Sequence, residues 1–181
     1  AWSPNGNELA RIVTDQMGGT RLEIIKLSNW YSRTIFVRPG ITALSWIKPD
    51  KLLVAEGPRI ISINLSEETI VTEFEWETAA RFLLYGSDDF YPSIVHISCL
   101  EEKRVIEVRW HRQGKTAISS IYQWLESELS HMSMLDSHRY PILLRNKQML
   151  LSTDEGIVGV NEKGERLWMR PIPGLISAVP C

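Results

Sequence analysis

The chain has 181 residues, of which 44% are hydrophobic and 23% are charged. This composition is typical of a soluble globular protein and excludes global disorder, because so apolar a chain can bury enough surface to offset its ordering entropy. The 20 Lys and Arg nearly balance the 22 Asp and Glu. We therefore expect no nucleic-acid partner, because a protein needs an excess of basic residues to neutralise the phosphates. No apolar run approaches the roughly 18–20 residues of a membrane span.

Short apolar runs, bounded by Gly, Pro, Asn and Asp, follow one another along the chain. Most are four to seven residues long and rich in Ile, Val and Leu, which predicts β-strands. Ile61, Ile63 and Leu65 alternate with polar residues, as expected of a strand with two different faces. The predicted strands are 9–13, 22–27, 34–37, 41–46, 52–55, 60–65, 69–74, 82–85, 94–100, 105–110, 142–145, 149–152, 157–160 and 166–170.

These strands group in fours, and short motifs recur with the groups. Trp2 aligns with Trp46, 44 residues later, and Pro39-Gly40 recurs as Pro173-Gly174 after 134 residues, about three units. A period near 40–45 residues with four strands per unit indicates a β-propeller. We predict an all-β propeller of about four blades within a larger ring. The blades are approximately 1–39, 40–78, 79–138 and 139–174, and 175–181 starts or closes another.

The third unit is about 15–20 residues longer than its neighbours, and the surplus follows Thr116. Two predictions remain open there. Apolar residues at helical spacing favour an inserted amphipathic helix near 119–134. The alternative is a fourth strand, Ala117–Trp124, followed by a long loop. The residues of the helical stripe are Ile121, Trp124, Leu125, Leu129 and Met132.

Seven tryptophans exceed the five Tyr and the four Phe. Broad aromatic surfaces fill the space between twisted sheets, so most of these side chains are expected to pack between blades. The expected core tryptophans are Trp2, Trp46, Trp110 and Trp168.

Two units resemble known propeller repeats. The segment 2–10, WSPNGNELA, resembles the S-P-D-G-x-x-[IL]-A signature of TolB-type and related WD-like repeats, with Asn5 where that family usually has Asp. The segment 154–168, DEGIVGVNEKGERLW, is similar to a quinoprotein-type blade. The second and third units match neither signature. The resemblance therefore implies a propeller without a specific family.

Catalysis finds little support in the sequence. There is no G-x-S-x-G, P-loop or G-x-G-x-x-G motif, and His131 and His138 lack the companion ligands of a zinc site. We expect no catalytic residue, no cofactor and no metal in this chain. Cys99 and Cys181 are predicted to be unpaired thiols. Because the chain opens at Ala1 without a Met or a leader, it is interpreted as an excised or processed piece.

Binding is the better-supported function class. Loops at the ends of a rigid repeat scaffold commonly carry function, and exposed aromatic and Arg side chains are typical interface anchors. We predict an interaction scaffold that binds a protein partner. The alternatives are the gating propeller of a larger enzyme, such as a prolyl-peptidase-type hydrolase, and a quinoprotein-like ligand-binding propeller. The candidate partner-binding residues are Trp30, Tyr31, Trp110, His111, Arg112 and Trp124.

Overall fold

The computed structural model describes residues 1–75, 90–100, 103–112, 115–125, 128–134, 139–143, 148–153, 155–161 and 163–172. Its elements within these ranges are fifteen β-strands in four antiparallel sheets. The predicted all-β fold class is therefore confirmed. No helix in the described ranges is long and apolar enough to cross a membrane. The predicted strand at 82–85 and the segment 175–181, which includes Cys181, lie outside these ranges. Cys99 is a free thiol.

Within each sheet the strands are neighbours in chain order. Sheet 1 contains β1 (Glu8–Thr14), β2 (Thr20–Lys26) and β3 (Tyr31–Val37). Sheet 2 contains β4 (Ile41–Lys48), β5 (Lys51–Glu56), β6 (Arg59–Asn64) and β7 (Thr69–Glu75). Sheet 3 contains β8 (Phe90–Leu100), β9 (Lys103–Arg112), β10 (Lys115–Leu125) and β11 (Glu128–Met134). Sheet 4 contains β12 (Arg139–Leu143), β13 (Met149–Thr153), β14 (Gly156–Val160) and β15 (Arg166–Pro171).

The first residues of the chain add a short fourth segment to sheet 1. Trp2 forms an antiparallel bridge with Leu9, just as Trp46 pairs with Leu52 in sheet 2. The two tryptophans therefore occupy equivalent positions, as the repeat predicted. The Trp46 indole Nε1–H also donates a hydrogen bond of 3.0 Å to the Ala1 carbonyl, which ties sheet 2 to sheet 1.

The sheets pack in the order 1, 2, 3, 4, with the first strand of each sheet touching that of the next. In β5, Leu52 and Val54 belong to the core shared with sheet 1, whereas Leu53 and Ala55 belong to the core shared with sheet 3. All four are fully buried. A strand covered on both faces needs apolar residues at successive positions. This explains why the central strands read as continuous apolar runs.

The predicted helix near 119–134 is wrong, because this segment forms β10 and β11. Trp124 pairs with Leu129 across the hairpin. Ile121 lies in the core towards sheet 4 and Trp124 in the core towards sheet 2. Burial on both faces places apolar residues at both odd and even positions, and that pattern imitates a helical stripe. The strand predicted at Ala117–Trp124 is present as β10, the third strand of sheet 3. The fourth strand is β11, which replaces the predicted long loop.

The expectation of core tryptophans holds for only two of the four. Trp46 and Trp110 are 5% and 0% exposed, but Trp2 and Trp168 are 50% and 38% exposed. Trp168 lies on the outermost strand of sheet 4, directly opposite Gly159. Its neighbour Gly159 has no side chain, and the indole lies against the glycine backbone so closely that an added Cβ would be 2.3 Å from the ring.

Candidate interaction surface

The turn between β2 and β3 presents two large aromatic side chains to solvent. Trp30 is 74% and Tyr31 is 62% exposed. The Asn29 side-chain oxygen accepts a hydrogen bond of 3.1 Å from the Tyr31 N–H, which shapes the turn. We call Trp30 and Tyr31 the aromatic turn. These two sequence-predicted residues are adjacent and accessible.

The aromatic turn contains a backbone conformation that side chains disfavour. Trp30 has a φ of +56°, and Glu68, in the equivalent turn between β6 and β7, has a φ of +54°. In sheet 4 the turn between β14 and β15 uses Gly164 for its left-handed residue. A side chain in this region costs about 1–2 kcal/mol relative to the right-handed conformation. Strain of this kind clusters at functional sites.

A groove of about 310 Å³ separates β3 from the β6–β7 hairpin. We call it the outer groove. Four of its lining side chains are aliphatic, and two are charged, the Arg33 guanidinium and the Glu68 carboxylate. Neither of these two forms an ion pair with any residue that the structure describes. The lining residues are Arg33, Thr34, Ile35, Ile63, Asn64, Leu65, Glu68 and Ile70.

Tyr31 of the aromatic turn and Arg33 of the outer groove lie on one face of sheet 1. Tyr31 pairs with Lys26, and Arg33 pairs with Ile24. Ile24 belongs to the core between sheets 1 and 2. Since cross-strand partners point to the same face, Tyr31 and Arg33 both face sheet 2. Tyr31 and the outer groove are therefore on the same side of sheet 1.

The opposite face of sheet 1 contains a buried carboxylate that has hydrogen-bond partners on all three strands. Glu23 accepts hydrogen bonds from Arg21 Nε at 2.7 Å and from Arg11 Nε at 2.9 Å, and the Ser32 hydroxyl donates to it at 3.4 Å. The Arg21 bond, followed by the Arg11 bond, lowers the pKa of Glu23 below its ordinary value of 4.5. The charged form of Glu23 therefore stabilises sheet 1, chiefly through its bonds to Arg21 on β2 and Arg11 on β1.

We expect the stability contributed by Glu23 to depend on pH. Because its pKa is lower in the folded state, this contribution is complete above the unfolded pKa of 4.5 and disappears as the pH falls through the folded pKa. Urea unfolding at pH 7 should show Glu23→Gln to be less stable than the wild-type chain, and the difference should shrink below about pH 4.

Glu67→Gln, at an exposed glutamate in the β6–β7 turn, is the control and should track the wild type at every pH. An unchanged deficit of Glu23→Gln at about pH 3 would show that packing, rather than charge, is what the variant removes.

The other predicted site residues do not join this surface. Trp110 and Trp124 are 0% and 1% exposed and belong to the core between sheets 2 and 3, so their assignment as partner-binding residues is corrected. The Arg104 guanidinium carbon lies 4.7 Å from the Trp124 ring centroid, a cation–π contact within the core. His111 is half-buried on β9. Arg112 ends β9, where its backbone pairs with β8 and β10, and its side chain lies outside the described part.

Sequence reasoning missed the outer groove entirely. Its parts come from two repeats, Arg33 to Ile35 in the first and Ile63 to Ile70 in the second, and no linear motif joins them. The equivalent positions of Trp30 and Glu68 in their hairpins are the signal that could have linked these segments.

No family model matches the chain, and no curated protein sequence is similar to it. Solved structures are similar in fold. The β-propeller domain of the Trilobed protease from Pyrococcus furiosus shares 18% identity at a TM-score of 0.58, covering 92% of this chain and 55% of that one. An oligogalacturonate lyase in complex with manganese shares 10% identity at 0.62, covering 94% and 50%. TolB from Acinetobacter baumannii shares 13% identity at 0.59, covering 91% and 41%.

These comparisons define the class of protein. The four sheets are blades of a β-propeller, in agreement with the TolB-type resemblance of the first repeat. The chain spans about half, or less, of the length of these neighbours. At such low identity the likeness shows the fold, and no specific family is identified.

Proposed function

We propose that this propeller is a non-catalytic interaction module that binds a protein partner through the aromatic turn and the outer groove. The observation that carries the proposal is the pair of adjacent aromatic side chains, Trp30 and Tyr31, each more than 60% exposed. Tyr and Trp are enriched among the residues that dominate binding energy at interfaces. The groove beside them offers aliphatic and charged groups to the same partner.

The experiment is to change both aromatic residues and measure stability and binding together. We expect Trp30→Ala with Tyr31→Ala to leave the free energy of unfolding within about 0.5 kcal/mol of the wild type, because neither side chain is buried. We expect the same variant to lose most of its captured partners. Capture is measured by quantitative mass spectrometry of proteins retained on the immobilised chain.

Met17→Ala provides a matched control. Met17 is 95% exposed in the β1–β2 turn of the same sheet, so this variant also removes an exposed apolar side chain. It should retain the partners of the wild type. A large loss of stability in the double variant would place the aromatic residues in the core, and unchanged capture would contradict the proposed surface.

The left-handed conformation of Trp30 gives a second prediction. Trp30→Gly relieves about 1–2 kcal/mol of backbone strain but adds about 0.5–1 kcal/mol of ordering entropy. We therefore expect this variant to be about 0.5 kcal/mol more stable than the wild type in urea unfolding, and to bind partners as weakly as Trp30→Ala. A loss of stability would show that the indole, rather than the backbone, determines the energetics of this turn.

A second candidate function is the propeller portion of a larger enzyme. It is favoured by the similarity of this chain to the propeller domain of a protease. The test is the coding sequence upstream of Ala1 and downstream of Cys181. A G-x-S-x-G nucleophile motif in a strand–turn–helix context there would support this function, and flanks that encode only further blades would contradict it.

A further inference from the structure

We propose that an extended segment of the partner adds to the free edge of β3 as a further strand and places an acidic side chain against Arg33. This inference rests on the proposed interaction function. It specifies the mode of binding and the chemistry of the partner.

The edge of β3 is the first observation. β3 is the outermost strand of sheet 1 and pairs with β2 alone, so its other edge has no strand partner in the described chain. Natural proteins protect such edges with charges, prolines and bulges. The outer strand β7 carries Glu73 and Glu75, and β15 carries two arginines and Pro171. β3 carries only one charged residue, Arg33. The irregularity in its pairing with β2 lies further along the strand, at Ile35.

The directions of the side chains define what an added strand would meet. Arg33 lines the outer groove, and Tyr31 lies on the same face of sheet 1. Ser32 points to the other face and contacts Glu23. Directly opposed side chains on neighbouring strands interact most strongly. Every second residue of an added strand would therefore lie on the groove side, with one opposite Arg33 and the next above the aliphatic residues Ile35 and Ile70.

The positive charge of Arg33 determines which partner residue is favoured opposite it. The Arg33 guanidinium has no ion-pair partner among the described residues and lies beside aliphatic side chains, which favours a carboxylate at this position. Glu68 lies in the same groove and repels a second acidic group. We therefore expect an extended peptide with a single acidic residue and an aliphatic residue two positions away.

Synthetic peptides test this mode of binding by isothermal titration calorimetry with the 181-residue chain. The parent probe is a nine-residue acetylated and amidated peptide that alternates valine and threonine around a central glutamate. A second peptide has lysine at the centre. Two further peptides carry N-methyl groups on alternate backbone amides, so that each of them has one of the two hydrogen-bonding edges of the extended peptide blocked. We expect the lysine peptide to bind roughly fivefold more weakly. We also expect only one of the two methylated peptides to lose binding.

Charge reversal on the protein provides the matched control. The Arg33→Glu variant of the protein should bind the lysine peptide more tightly than the glutamate peptide. Lys48→Glu, an equal change of charge at the exposed end of β4, should leave the preference for glutamate intact.

The outcomes separate this inference from the function on which it rests. Equal binding of the glutamate and lysine peptides, or full binding by both methylated peptides, would overturn strand addition. So would the absence of binding by any peptide at millimolar concentration. Capture that depends on Trp30 and Tyr31 would still support the interaction function in each of these cases.

Discussion

Replacing Trp110 with alanine should lower the free energy of unfolding by about 3–5 kcal/mol. Trp110 is fully buried in the core between sheets 2 and 3. Its removal loses the transfer free energy of the largest side chain and leaves a cavity that the two sheets can close only in part. For a chain of this size, such a loss corresponds to a fall in melting temperature of roughly 10 °C.

Urea unfolding of Trp110→Ala, Trp110→Phe and Trp30→Ala provides the measurement. The phenylalanine variant should be intermediate, because it retains much of the apolar volume. Trp30→Ala, at a tryptophan that is 74% exposed, should stay within about 0.5 kcal/mol of the wild type. If Trp110→Ala were as stable as Trp30→Ala, the assignment of Trp110 to the core would fail and its role as a partner-binding residue would return.

Gly156→Ala should cost about 3 kcal/mol or more. Gly156 has a φ of +147°, and a Cβ at this position would lie 2.1 Å from the Arg170 carbonyl oxygen and 2.8 Å from the Ile172 nitrogen. Both are backbone atoms of the segment that contains the outer strand, so relief requires β14 and β15 to separate. The Gly156 N–H also donates to the Thr153 hydroxyl at 3.1 Å, which limits movement in the other direction.

The control for this prediction is Gly57→Ala. Gly57 also has a positive φ, +60°, but a Cβ there would meet no atom within 4 Å. Its substitution should therefore cost only the conformational penalty of about 1–2 kcal/mol. Equal losses for the two variants in thermal unfolding would show that backbone conformation, and not the close approach of β15, makes Gly156 necessary.

Particular residues show how far sequence reasoning reached. The alternation in Ile61 and Ile63 identified β6, and the spacing of Trp2 and Trp46 identified equivalent strands in two blades. The same reasoning could not decide whether Ile121 and Trp124 belonged to a helix, because burial on both faces of β10 removes the alternation that marks a strand. Among the site residues, Trp30 and Tyr31 are on the surface, whereas Trp110 and Trp124 are not.

The sequence by itself determined the all-β class, the order of most of the strands and the repeat that makes this chain a propeller. These properties follow from local patterns of apolar and turn-forming residues, which act over a few positions or recur at a fixed period. Only the tertiary structure decided which tryptophans are buried and where the outer groove lies. Burial depends on which sheet covers each face, and the groove joins residues of two blades, so neither property is encoded in any single stretch of the chain.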